Sequence, residues 1–131
     1  MEDENRNRSI EKTVLVVEDD TSVSIMIKEI LIQNGFNVIL AETGKEALEK
    51  AQSEKPDLIT MDYRLPDTNG VEVTSQLKQS YELRHIPVMA ITSYLSRKIE
   101  KNPQTYGFCC HLEKPFDKED LVNGVRNNLR S

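Results

Sequence analysis

The chain has 131 residues, a length that suits one domain with a core of its own. Its 17 basic and 22 acidic side chains leave a net charge of −5, which lacks the basic footprint of non-specific nucleic-acid binding. No apolar run approaches the ~18 residues of a membrane span, and the N-terminus lacks a signal peptide's apolar core.

Residues 1–12 are polar and mixed in charge, and read as a disordered leader before a single domain over 13–131. Residues 13–17 (Thr-Val-Leu-Val-Val) form a continuous run rich in β-branched side chains, the first strand. Glu18, Asp19 and Asp20 follow it directly. Val23, Met26, Ile27, Ile30 and Leu31 then recur at helical spacing, with Asp20 or Thr21 placed to cap the helix and Gly35 to stop it. Residues 37–41 make a second strand. Thr43 and Glu46 form a capping box for a second helix, which presents Ala47, Leu48 and Ala51 inward and closes before Pro56.

Residues 57–61 are the third strand, with Asp62 where the run ends. Pro66 and the Asn69-Gly70 pair take the chain out through a tight loop that Asp67 shapes. Val71, Val73 and Leu77 mark a third helix and residues 86–91 a fourth strand, with Thr92 and Ser93 at its exit. Residues 96–101 can form a fourth helix, which Pro103 ends or kinks. Residues 108–112 are the fifth strand, leading to Glu113-Lys114-Pro115, and Asp117 caps a last helix with Leu121, Val122, Val125 and Leu129 inward. The two cysteines, Cys109 and Cys110, are sequence neighbours without metal-site spacing, and read as reduced, partly buried thiols. Together these features favour the cytoplasm.

Apolar strands alternating with amphipathic helices imply a parallel sheet covered on both faces. Right-handed crossovers then favour an α/β, flavodoxin-like doubly wound (βα)5 fold with a five-stranded parallel sheet in the order 2-1-3-4-5. In that topology Glu18, Asp19, Asp62, Thr92 and Lys114 all stand at the carboxyl ends of strands. Strands 1 and 3 are neighbours, so three carboxylates crowd one crevice, and like charges that close call for a cation. An all-oxygen acidic site suits a hard divalent ion, Mg²⁺ foremost. Mg²⁺ and Lys114 together favour an incoming phosphoryl group, for which Asp62 is the nucleophile and Thr92 a hydrogen-bond donor.

Val16-Val17-Glu18-Asp19, Met61-Asp62 with Pro66 and Asn69-Gly70, Ile91-Thr92 and Lys114-Pro115-Phe116 resemble the response-regulator receiver family of two-component signalling. The likeness spans about residues 13–129. It implies a phosphorylation-activated receiver in which Asp62 accepts a phosphoryl group from a sensor histidine kinase, a phosphotransfer protein or a small acyl phosphate. It implies Mg²⁺ held by Glu18, Asp19 and Asp62 with the backbone carbonyl of Arg64, and phosphate contacts from Thr92 and Lys114. It also implies a cis bond between Lys114 and Pro115. The implied switch moves Thr92 and a strand-5 side chain, here His111, and remodels the face made by the fourth helix, fifth strand and fifth helix, where a downstream protein binds.

Several residues depart from the family pattern. His111 replaces the usual Tyr or Phe. Ser93 stands for a smaller residue, and Tyr106 and Phe108 are bulky for their places. Arg64 and Tyr94, two residues beyond Asp62 and Thr92, can shield the site and predict slow loss of the phosphoryl group. The resemblance implies no enzyme beyond self-phosphorylation and autodephosphorylation. The chain reads as a stand-alone receiver or as a piece of a larger regulator or hybrid kinase. A phosphatase is disfavoured because Arg64 stands where many aspartate-based phosphatases carry a second Asp. A phosphate-independent docking domain is disfavoured by the intact acid set.

Overall fold

The computed structural model describes residues 11–92 and 103–129. The predicted fourth helix at 96–101, Ser93, Tyr94 and all but the last two residues of the predicted leader lie outside the described residues. In chain order the elements are β1 (Thr13–Val17), α1 (Thr21–Gln33), β2 (Asn37–Ala41), α2 (Gly44–Glu54), β3 (Leu58–Asp62), α3 (Gly70–Gln79), β4 (Val88–Thr92), a one-turn 3-10 helix (Pro103–Tyr106), β5 (Cys110–Glu113) and α4 (Lys118–Asn128), the last of the predicted helices. The strands pair in the order β2-β1-β3-β4-β5, all parallel, as expected of the flavodoxin-like arrangement.

Period-two alternation sends successive strand residues to opposite faces. Leu15, Val17, Ile59, Met61, Val88 and Ala90 pack on one side with Ala47 and Ala51 of α2 and Val73 and Leu77 of α3. Val14, Val16, Leu58, Met89 and Ile91 pack on the other with Ile27 and Leu31 of α1 and Leu121 and Val125 of α4. Because both faces are covered, β3 and β4 are buried along their whole length, which explains why their sequences are mostly apolar instead of alternating. Phe108, bulky for its place, is taken into the first of these clusters and is buried.

The caps set where each helix starts. Asp20 is the N-cap of α1 and accepts from the Val23 N–H at 3.1 Å. Past the end of α1, Gly35 takes φ +92°, a conformation that side-chain-bearing residues rarely adopt. Thr43 caps α2 by accepting from the Glu46 N–H, and Glu46 returns a carboxylate to the N–H of Glu42 rather than of Thr43, one residue outside the usual box. Asn69, read from sequence as part of a turn, is also the N-cap of α3, accepting from the Glu72 N–H at 2.9 Å.

Asp117 differs from expectation. It holds the N-cap position of α4, but only its carbonyl takes part, accepting from the Leu121 N–H, and its side chain makes no capping bond. The strand limits also move: β3 includes Asp62, β4 runs from Val88 through Thr92, and β5 starts at Cys110. Apolar character marks burial, whereas pairing partners set the ends, and only the former is visible in the sequence.

Two buried hydroxyls, those of Thr60 and Thr74, have no hydrogen-bond partner among the described residues. Thr60 is buried between its β1 and β4 neighbours Val16 and Met89. A buried hydroxyl left unpaired costs free energy that a methyl of the same shape does not. Thr60→Val is therefore expected to raise the unfolding free energy by about 1 kcal/mol in urea denaturation. A loss of stability would show that the hydroxyl is satisfied.

Candidate functional site

The parallel register sets the site. β1 and β3 are adjacent, with Val17 opposite Met61, so the residues that follow them emerge side by side. Carboxylate oxygens of Glu18, Asp19 and Asp62 all lie within 4.8 Å of one another. Glu18 and Asp62 are buried and Asp19 is exposed, so the trio forms the wall of a crevice open on one side.

Lys114 arrives from the carboxyl end of β5, its bond to Pro115 cis as the resemblance implied. Its Nζ lies 2.6 Å from Glu18 Oε1 and 3.7 Å from Asp62 Oδ2, so one ammonium serves two acids. The Glu18 partner was not anticipated from sequence, which placed Lys114 only toward phosphate. The second Glu18 oxygen accepts from the Asp20 N–H at 3.1 Å. Burial nevertheless pushes the Glu18 carboxyl up to about 7, the Asp62 charge adding to it while Lys114 pulls the other way. Desolvation outweighs the ion pair here.

Thr92 is buried at the end of β4, and its carbonyl accepts from the Lys114 N–H at 2.9 Å, which ties the threonine and lysine backbones together. His111 is half-buried opposite Ala90, and so shares a sheet face with Thr92, one register step removed from the acidic trio. Arg64 is exposed in the loop two residues past Asp62 and pairs with Asn69 in an antiparallel bridge.

That loop is closely built. The Gly70 N–H donates to the Tyr63 carbonyl at 2.7 Å and the Leu65 N–H to Thr68 at 3.2 Å. A Cβ on Gly70 would collide with the Asp62 carbonyl oxygen and come within 2.8 Å of Met61 Cγ, so glycine lets α3 begin directly against the strand end. Asp67, expected to shape its own turn, reaches across to α2. Its two oxygens accept from the N–H groups of Gly44 at 2.8 Å and Lys45 at 3.0 Å. These bonds hold its carboxyl below the usual range. Sequence reading missed both roles. The one available signal was a helix start at Gly44-Lys45, whose free N–H groups attract an anion, but nothing in the chain order pairs it with an acid more than twenty positions away.

The donor set fits a hard cation: carboxylate oxygens of three residues converge, and burial and a neighbouring negative charge make one of them, Glu18, harder to ionise, a cost that a cation relieves.

A doubly wound parallel sheet with acids and a lysine gathered at its carboxyl edge defines a class of signalling module. The chain belongs to the response regulator receiver domain family, whose model it matches over residues 14–126. It is 34% identical over 118 residues to the polar-differentiation response regulator DivK of Brucella anthropi, covering 90% of this chain and 96% of that protein. Its fold is similar to that of the chemotaxis protein CheY4 of Vibrio cholerae (TM-score 0.84, 28% identity, 91% of this chain and 99% of the other). It is also similar to the receiver domain of a Pseudomonas aeruginosa sensor histidine kinase, solved with a magnesium ion coordinated in its active-site cleft (TM-score 0.81, 27% identity, 89% and 96%).

The raised Glu18 carboxyl has a pH consequence. The folded chain keeps this proton to about pH 7, whereas an unfolded glutamate releases it near 4.5. The folded state binds more protons in that interval, so this group's contribution to stability falls as pH rises through it. In metal-free buffer the urea midpoint of wild type is expected to fall more between about pH 5 and about pH 7.5 than that of Glu18→Gln. Equal slopes in the two proteins would contradict the assignment.

Proposed function

We propose that the chain is a phosphorylation-controlled receiver in which Asp62 takes a phosphoryl group from a histidine kinase or phosphotransfer protein in a Mg²⁺-dependent reaction. The phosphorylated form then binds its downstream partner differently. The observation that carries this reading is the placing of Asp62 within a carboxylate trio while Lys114 reaches both Asp62 and Glu18.

Mg²⁺, held by Glu18, Asp19 and Asp62 with the Arg64 carbonyl, would neutralise charge on the phosphoryl oxygens. An Asp62 carboxylate oxygen attacks phosphorus, and the bond from phosphorus to the donor nitrogen or oxygen breaks. Lys114, already aimed into the crevice by Glu18, offsets the negative charge that the phosphoryl group brings. Thr92 supplies a hydroxyl at the same sheet edge, and its backbone link to Lys114 joins the two phosphate-sensing positions.

The proposed route outward runs from Thr92 to His111 on the same face, then to the surface of β5, α4 and the predicted fourth helix. An imidazole there is smaller and more polar than the Tyr or Phe of the family pattern, so it packs differently along this route. The only reaction in this reading is the chain's own phosphorylation and the later hydrolysis, which Arg64 slows by shielding.

Incubation with acetyl phosphate and Mg²⁺ should add one phosphoryl mass to wild type and none to Asp62→Asn, and chelation of the metal should abolish the gain. Equal gain by Asp62→Asn would move the acceptor elsewhere and sink the proposal. The phosphorylated form should persist for minutes or longer after the donor is removed, and Arg64→Ala should shorten that lifetime. Decay of the wild type within seconds would count against shielding.

A further inference from the structure

Consecutive side chains on a strand point to opposite faces. Cys109 and Cys110 escape that rule because only Cys110 belongs to the strand. Cys109 stands just ahead of β5, shortly after Gly107 with its φ of +90°, and the two sulfurs lie 3.7 Å apart. Both cysteines are half-buried against the apolar cluster beneath α1 and α4. The pair is anchored from α4: the Asn128 amide donates to Cys110 Sγ at 3.2 Å and to the Gly124 carbonyl at 2.8 Å. It lies at the amino end of β5, the edge of the sheet opposite Asp62, and serves none of the phosphoryl chemistry.

The two thiols are not equivalent. The contact shared with Cys110 holds the Cys109 thiol below its ordinary range and the Lys78 charge adds to this, while burial opposes both. The same pairing, with burial adding to it, pushes Cys110 up. A half-buried cysteine with more thiolate character and a second thiol beside it is the arrangement that oxidants select.

We propose that Cys109 and Cys110 form a peroxide-responsive thiol pair, with Cys109 the sulfur that is oxidised and Cys110 the thiol that resolves it. The Cys109 thiolate attacks one oxygen of hydrogen peroxide. The O–O bond breaks, hydroxide leaves and Cys109 becomes a sulfenic acid. The Cys110 sulfur then displaces the hydroxyl from Cys109, forming the S–S bond and releasing water. The balance is two thiols and one peroxide to one disulfide and two waters, with the thiols oxidised by two electrons and the peroxide reduced.

The sulfurs must close by about 1.7 Å to bond. Adjacent Cα atoms about 3.8 Å apart fall short of the usual disulfide span, so the bridge is strained and a thiol reductant reopens it. The resting state remains the pair of reduced thiols, and the bridge appears only under oxidant.

The test treats purified chain with hydrogen peroxide and follows intact mass and free thiols. Wild type should lose two hydrogens and both free thiols as a monomer, and dithiothreitol should restore them. Cys110→Ser should stop at a sulfenic acid that dimedone captures at Cys109, and Cys109→Ser should react about 10-fold more slowly. A comparison that needs no substitution is wild type folded against wild type in urea, where the folded chain should react faster. Equal rates folded and unfolded, equal rates for the two variants, or a disulfide-linked dimer as the main product would each overturn the proposal.

Discussion

Three carboxylates share one crevice with one lysine, and the electrostatics of that crowding govern how the site is arranged. Glu18 is buried beside Asp62, and Lys114 satisfies Glu18 more closely than it does Asp62. A buried ion pair recovers only part of the cost of taking its charges out of water. The Glu18 carboxyl accordingly clings to its proton despite a lysine at hydrogen-bond distance. The site is thus under-neutralised as folded, and that shortfall is what makes it receptive to a cation.

The fold exists to hold this unfavourable arrangement in place. The apolar runs of β1 and β3 are sealed on both faces, so their register is fixed and the acids that follow them have nowhere else to go. On the far side the loop is locked by Gly70 against the Asp62 carbonyl and by Asp67 on the start of α2. These contacts lie outside the crevice but determine how closely α3 and α2 approach it. The ladder from β4 to β5 brings Thr92 and Lys114 to the same edge, linked through one backbone hydrogen bond.

Much of this was legible in the chain because it depends on local pattern. Strand runs, helix periodicity and the caps at Asp20 and Thr43 report nearby chemistry, and five alternating units leave few topologies. The acids, Thr92 and Lys114 could be gathered because each ends a strand in a parallel sheet, where all ends of one kind share an edge. Partner identity across long separations was not legible. Nothing local says that Lys114 is nearer Glu18 than Asp62, or that Asp67 belongs to another helix. Asp117 illustrates the reverse error: a good capping residue type at a helix start whose side chain is not used. The adjacency of the two cysteines was plain, but strand alternation predicts opposite faces, and only the backbone geometry before β5 brings the sulfurs together.

The central claim is that the crowded crevice makes Asp62, and no neighbouring acid, the phosphoryl acceptor. The most direct measurement is borohydride reduction of the chain after reaction with acetyl phosphate and Mg²⁺, which converts a phosphorylated aspartate to homoserine, followed by peptide mass spectrometry. Homoserine at position 62 is the predicted result. Homoserine at position 19, the corresponding reduction of Glu18, or no reduced residue at all would contradict the account.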